Sequence, residues 1–199
     1  MHPIVRWLVI TAVAALASGS SWAADCKFDT DETDKFTKVR TLVTQRDSLE
    51  SFWGDGSKRK QQDIYVSAYY HDGEQALNIQ ILFTNYVKRM PPEYELRNAI
   101  VIPGNSRLLL MMADGSIVTL NSANPVNANA RATPTSSRVS VDSAASIYYP
   151  LDDERIAALS SQSASRIRVE AAETHYDFEI HVKSQDDIGN AIKCIQANI

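Results

Sequence analysis

Glycine is scarce and scattered, with seven residues in the chain, so no glycine-rich loop exists to cradle a phosphate. A Gly-x-Ser-x-Gly elbow is also missing, which removes the nucleophile signature of the α/β-hydrolases. His71, His175 and His181 lack His-x-x-x-His spacing and have no cysteine pair beside them, so they form no zinc pattern. His71-Asp72-Gly73-Glu74 resembles a weak chelate, but Asp-Gly turn chemistry accounts for it. No motif asks for a cofactor or a metal. A basic run is absent too. The expected loss of Arg6 from the 20 Lys+Arg leaves 19 against 24 Asp+Glu, a net charge of about −5. A chain of this charge has no electrostatic footprint for nucleic acid or anionic lipid.

Long apolar runs are confined to the N-terminus. Trp7 to Ala17 is uncharged, follows Arg6 and leads to Ser21-Trp22-Ala23, a small-x-small cleavage pattern. Residues 1–23 therefore read as a secretory signal cut after Ala23, with Ala24 as the alternative. The run is shorter than the ~20 residues that cross a bilayer. The later apolar stretch from Ala99 to Gly115 is broken by Pro103-Gly104 and Arg107. No stable membrane anchor is expected after cleavage, and the remaining ~175 residues suit one exported domain, 24–199, in the periplasm or outside the cell.

There are only two cysteines, Cys26 and Cys194. A lipid-anchoring signal wants a small residue just before the cysteine and an aliphatic one at minus three; Asp25 and Ala23 occupy those places. An oxidising compartment and an even count favour a Cys26–Cys194 disulfide, with two free thiols or intermolecular pairing as alternatives. The acidic run Asp29 to Asp34 fails as a calcium loop. Counted from Asp29, position six is Asp34 instead of glycine and position twelve is Arg40 instead of glutamate. It reads as a solvated acidic segment.

What is present is mostly β grammar. Asp63 to Tyr86 alternates as a hairpin about His71-Asp72-Gly73-Glu74, with Leu77, Ile79, Ile81 and Phe83 on one face. Arg107 to Asn121 is a second hairpin about Asp114-Gly115, and its strand Leu108 to Met112 is apolar on both faces, as in a central or helix-covered strand. Phe36 to Gln45 is a further strand candidate, and Ser48 to Gln62 reads as a loop. Ser122 to Ser137 has few large apolar residues, and a mobile loop is expected around 122–145.

The last third has helix signals. Asp152 suits an N-cap, with Leu151 and Ile156 as a hydrophobic staple. A hairpin then sets Ile167 and Val169 against Phe178, Ile180 and Val182, with Arg166 and Arg168 facing Glu179 and His181. Ser184 to Asp187 resembles a capping box, ahead of Ile188, Ala191, Ile192 and Ile195 at helical spacing. Those three isoleucines should stabilise the fold by roughly 1.5–3 kcal/mol each before entropy.

The expected fold class is α+β: an antiparallel, hairpin-rich sheet, as one sheet or as a two-sheet sandwich-like arrangement, with a short helix and a C-terminal helix packed on it. Trp53, Tyr65, Tyr69, Tyr148 and Tyr149 form the candidate interaction surface, since amphipathic aromatics suit interfaces. Their competing role is completing the core. The expected function is a non-catalytic binding protein of the bacterial cell envelope, its partner another exported protein or a small ligand. An inhibitor or immunity-like protein is one specific form. A cell-envelope hydrolase using dispersed carboxylates is the contrasting reading.

Overall fold

The computed structural model describes residues 26–53 and 60–199. The expected signal, residues 1–23, lies outside them, as do residues 54–59 and the side chain of Trp53.

Every strand pairing is antiparallel. The largest sheet, curled, has seven strands: β1 (Phe28–Thr33), β2 (Arg40–Thr44), β3 (Asp47–Trp53), β4 (Lys60–His71), β5 (Glu74–Val87), β10 (Arg131–Pro134) and β11 (Val139–Leu151). Its order is β1-β2-β4-β5-β11-β10, and β3 pairs with β4 beside β2. A four-stranded sheet has the order β13-β12-β7-β8, from β7 (Arg107–Met112), β8 (Ile117–Asn121), β12 (Ala164–Glu170) and β13 (His175–Glu179). A small ribbon pairs β6 (Ile100–Ile102) with β9 (Val126–Ala128). The helices are α1 (Glu93–Leu96), α2 (Asp153–Ser161) and α3 (Asp187–Gln196).

The β4–β5 hairpin organises the large sheet. Asp72 and Gly73 both have positive φ, 48° and 86°, as a tight two-residue hairpin turn requires. Period-two alternation then puts Ile64, Val66, Leu77, Ile79 and Ile81 on the buried face, all 0% exposed. One core cluster joins these to Leu108 and Leu110 of β7, Ile167 and Val169 of β12, and Phe178 of β13. The sheets are also stitched at an edge: the His181 amide donates to the Leu49 carbonyl at 3.0 Å.

The C-terminal helix covers one end of β4. Ile188 and Ile192 belong to the main cluster, while Ala191 and Ile195 pack with Leu42 and Ala68 in a second one. Asp152 caps α2 as expected, accepting the Arg155 amide at 2.9 Å. Cys26 and Cys194 lie at disulfide distance, with Cα atoms 5.6 Å apart.

Several expectations are corrected. The loop expected around 122–145 instead carries β9, β10 and the start of β11. The 14-residue β5 offers its whole length as a template, and β11 pairs with it from Val139 to Leu151. Small Ala and Ser side chains suffice there because the backbone ladder supplies the order. Ser48 to Gln62, read as a loop, contributes most of β3 and the start of β4. Only Arg40–Thr44 of the Phe36 to Gln45 candidate is strand, and Phe36 is exposed. Val182 leaves the hairpin for a 3₁₀ turn and is exposed, and the register sets Arg166 against Glu179 and Arg168 against Asp177, leaving the expected His181 outside the cross-strand pairing. The capping box at Ser184 does not form as drawn: Asp186 takes the N-cap of α3 without a side-chain cap bond. Asp29 to Thr33 lie in β1, where Asp31 meets Arg40 at 3.0 Å.

Candidate functional site

Two of the expected aromatics meet on the outer face of the large sheet. Tyr69 of β4 stands opposite Ala76 of β5, which stands opposite Pro150 of β11. One row away, Ser67, Asn78 and Tyr148 are aligned in the same manner. Because Ala76 is small, it leaves a floor between larger walls. Tyr148 leans across it to Tyr69, with ring centroids 5.6 Å apart and planes at 72°. This edge-to-face geometry is the favoured one for aromatic pairs.

The result is an open depression of about 590 Å³. The Asp72-Gly73 turn closes one end through Glu74, and α2 closes another through Asp153 and Ile156. Tyr148 is 42% exposed. Partial burial, then the neighbouring Tyr148 and Glu74, hold the Tyr69 hydroxyl above its ordinary pKa. The position of α2 follows from its cap at Asp152 and from the burial of Leu159 against the core.

The other expected residues separate. Tyr65 lies on the same face of β4 but about 13 Å further along the strand, where the Arg46 guanidinium sits 6.0 Å from its ring centroid. Trp53 lies in β3 opposite Gln61, away from the depression in register. Tyr149 is corrected outright. Alternation turns it inward beside the outward Tyr148, and it is fully buried. Burial, then Glu170, pushes its hydroxyl well above the usual pKa. That hydroxyl has no hydrogen-bond partner among the described residues. Tyr149→Phe should therefore leave stability unchanged or raise it by about 1 kcal/mol, because an unpaired buried hydroxyl is removed. Urea unfolding would read this; a loss above about 1 kcal/mol would place a bond on the hydroxyl.

Ala76, Pro150 and Asp153 complete the site without having been singled out from sequence, and Glu74 was read there only as part of a turn. Glu74 and Asp153 carried local signals, as a hairpin turn and a helix first turn. Nothing local joined them, since they meet through the β4–β5–β11 register.

The outer face of the four-stranded sheet is a second, smaller surface of about 420 Å³. Leu109 and Met111 point outward there, so β7 is central in its sheet while Met111 stays 37% exposed. Beside them run ion pairs, Arg107–Glu170 at 2.6 Å, Arg168–Asp177 at 2.6 Å and Arg166–Glu179 at 2.7 Å. Hydrogen bonds from Arg107 hold Glu170, and from Arg168 hold Asp177, below the ordinary carboxylate pKa. Backbone and side-chain bonds do the same for Asp34, Asp114 and Asp152. Asp47 and Asp187 are shifted upward, each chiefly by burial.

A depressed carboxyl stabilises the fold above its unfolded pKa and loses that contribution as pH falls through its folded value. The two raised groups act oppositely, destabilising the fold once both states are ionised and relieving that penalty on acidification. Five depressed groups against two raised ones predict a lower urea midpoint at about pH 3 than at about pH 6. A midpoint that rises on acidification would show that Asp47 and Asp187 dominate.

No helix among the described residues is long and apolar enough to cross a membrane. No protein-family model, curated protein or solved structure matches this chain.

Proposed function

We propose that the chain is an exported, non-catalytic binding protein that takes a small ligand or a segment of another exported protein in the Tyr69–Tyr148 depression. The observation that carries this reading is the edge-to-face tyrosine pair set over the Ala76 floor. It offers rigid amphipathic walls at a concave place, the usual composition of a binding site. Export rests on the N-terminal signal pattern and is supported by the Cys26–Cys194 pair. The same reading takes 24–199 as one domain and its two larger sheets as sandwich-like layers; their shared core cluster supports this.

The test is selective shielding. Tyrosine nitration of the mature protein would be followed by mass spectrometry, with cell-envelope extract divided into small and large fractions. A fraction carrying the ligand slows nitration at Tyr148 and leaves Tyr94, 74% exposed in α1, unaffected. If no fraction shields Tyr148 selectively, the reading is wrong. If the shielding component is consumed with time, the hydrolase reading replaces it.

A further inference from the structure

We propose that the Tyr69–Tyr148 depression receives an organic ammonium group, held against the tyrosine rings with Glu74 and Asp153 as its counter-charges. This rests on the depression being the binding site and names the chemistry of its occupant.

The charge of the lining is one-sided. Glu74 and Asp153 are the charged residues that line it, and neither Lys, Arg nor His does so among the described residues. Neighbouring basic groups are engaged elsewhere. Arg155 of α2 reaches Asp152 at 2.5 Å and Glu154 at 3.7 Å. His71 stacks on Tyr69, with centroids 6.2 Å apart, and shares a 2.9 Å hydrogen bond with Thr41. An anion entering the depression would meet two carboxylates and two electron-rich rings, with no basic residue in the lining among the described residues.

A cation meets the opposite field. The face of an aromatic ring attracts positive charge through its quadrupole, and acids nearby add Coulomb attraction. The apolar residues choose between kinds of cation. Ala76, Pro150 and Ile156 offer carbon surface, which suits methyl or methylene groups around a nitrogen. A hard metal ion needs six or more oxygen ligands at calcium, or near-octahedral oxygen at magnesium, and such a lining supplies neither. The shared chemistry is an alkylated nitrogen cation. It could arrive as a quaternary amine or as the primary ammonium of a lysine side chain, and the probes separate these.

The test titrates the mature protein with choline, with Nα-acetyl-lysine methylamide, and with 3,3-dimethylbutanol, the uncharged isostere of choline. NMR signals of Tyr69 and Tyr148 report binding. At least one cation should bind tenfold or more tightly than the isostere, with affinity falling as salt is raised. Which cation wins assigns the source. Glu74→Gln and Tyr148→Ala should each weaken binding at least tenfold. Ala76→Leu should block it by filling the floor, with unchanged circular dichroism showing that each variant is folded. Equal binding of the isostere overturns the proposal. So does silence from both cations at millimolar concentration. If an extract fraction nevertheless shields Tyr148 from nitration, only the ammonium assignment fails; if none does, the binding reading falls with it.

Discussion

Replacing Cys26 and Cys194 together with serine should lower the unfolding free energy by up to about 5 kcal/mol, the chain-entropy figure for so long a loop. The two residues are 168 positions apart, so the cross-link closes almost the whole described chain. Its largest effect is on the unfolded ensemble, whose ends it forbids to separate. Native β1 depends on it as well. Four of the six β1 residues are exposed, and Phe28 is its one apolar residue packed on a core cluster. Apart from the cross-link, β1 has its ladder with β2 and the Asp31–Arg40 pair. Edge strands held this way fray at low cost. In the serine variant, β1 amides should exchange with solvent long before those of β5. Urea unfolding measures the global term, and mass spectrometry of the wild type should show a gain of two hydrogens on reduction. Equal masses, or a variant within about 1 kcal/mol of wild type, would remove the cross-link from the account.

The elements that could be read from sequence were those whose instructions are local. The β4–β5 hairpin has alternation on both arms and Asp-Gly at its turn, and its register follows from these. The α2 cap at Asp152 and the apolar stripe of α3 are local in the same sense. What escaped were elements ordered by their neighbours. β10 and the first half of β11 contain little that asks to be buried, yet β5 is long enough to pair with all of β11. The Ser184 to Asp187 capping box did not form for a comparable reason: the Ser184 hydroxyl donates to the Ser48 carbonyl of β3. The candidate site divided along the same line. Aromatic content marked Tyr69 and Tyr148, but consecutive tyrosines could not say which one faced outward. That choice was made when Ile147 and Tyr149 joined the core. The roles of Ala76 and Asp153 depend on three-strand register and on the return of α2, and neither is written in any short window.

Ile192→Ala should be among the most damaging single truncations in α3, costing about 2–5 kcal/mol through lost burial and the cavity left behind. Ile192 is 1% exposed and sits in the main core cluster, while its neighbours Ala191 and Ile195 sit in the second. The helix therefore bridges two groups of apolar side chains, and its position is tightly set. Gly189 shows how little it can move: a Cβ there would come within 2.9 Å of the Leu159 carbonyl oxygen in α2. That oxygen belongs to backbone, so it cannot swing aside as a side chain would. Gly189→Ala should thus cost about 1–3 kcal/mol by overpacking, despite the better helix propensity of alanine. Asn190→Ala, on the exposed face between them, should change stability by no more than about 0.5 kcal/mol. If Gly189→Ala stabilises, the close approach of α2 and α3 is wrong; if Ile192→Ala is neutral, so is the seat of α3. Repeating Ile192→Ala without the cysteines adds a sharper measurement. A cross-link acting only on the unfolded chain leaves its cost unchanged. A shift beyond about 0.5 kcal/mol would mean that Cys26 also holds α3 in place in the folded protein.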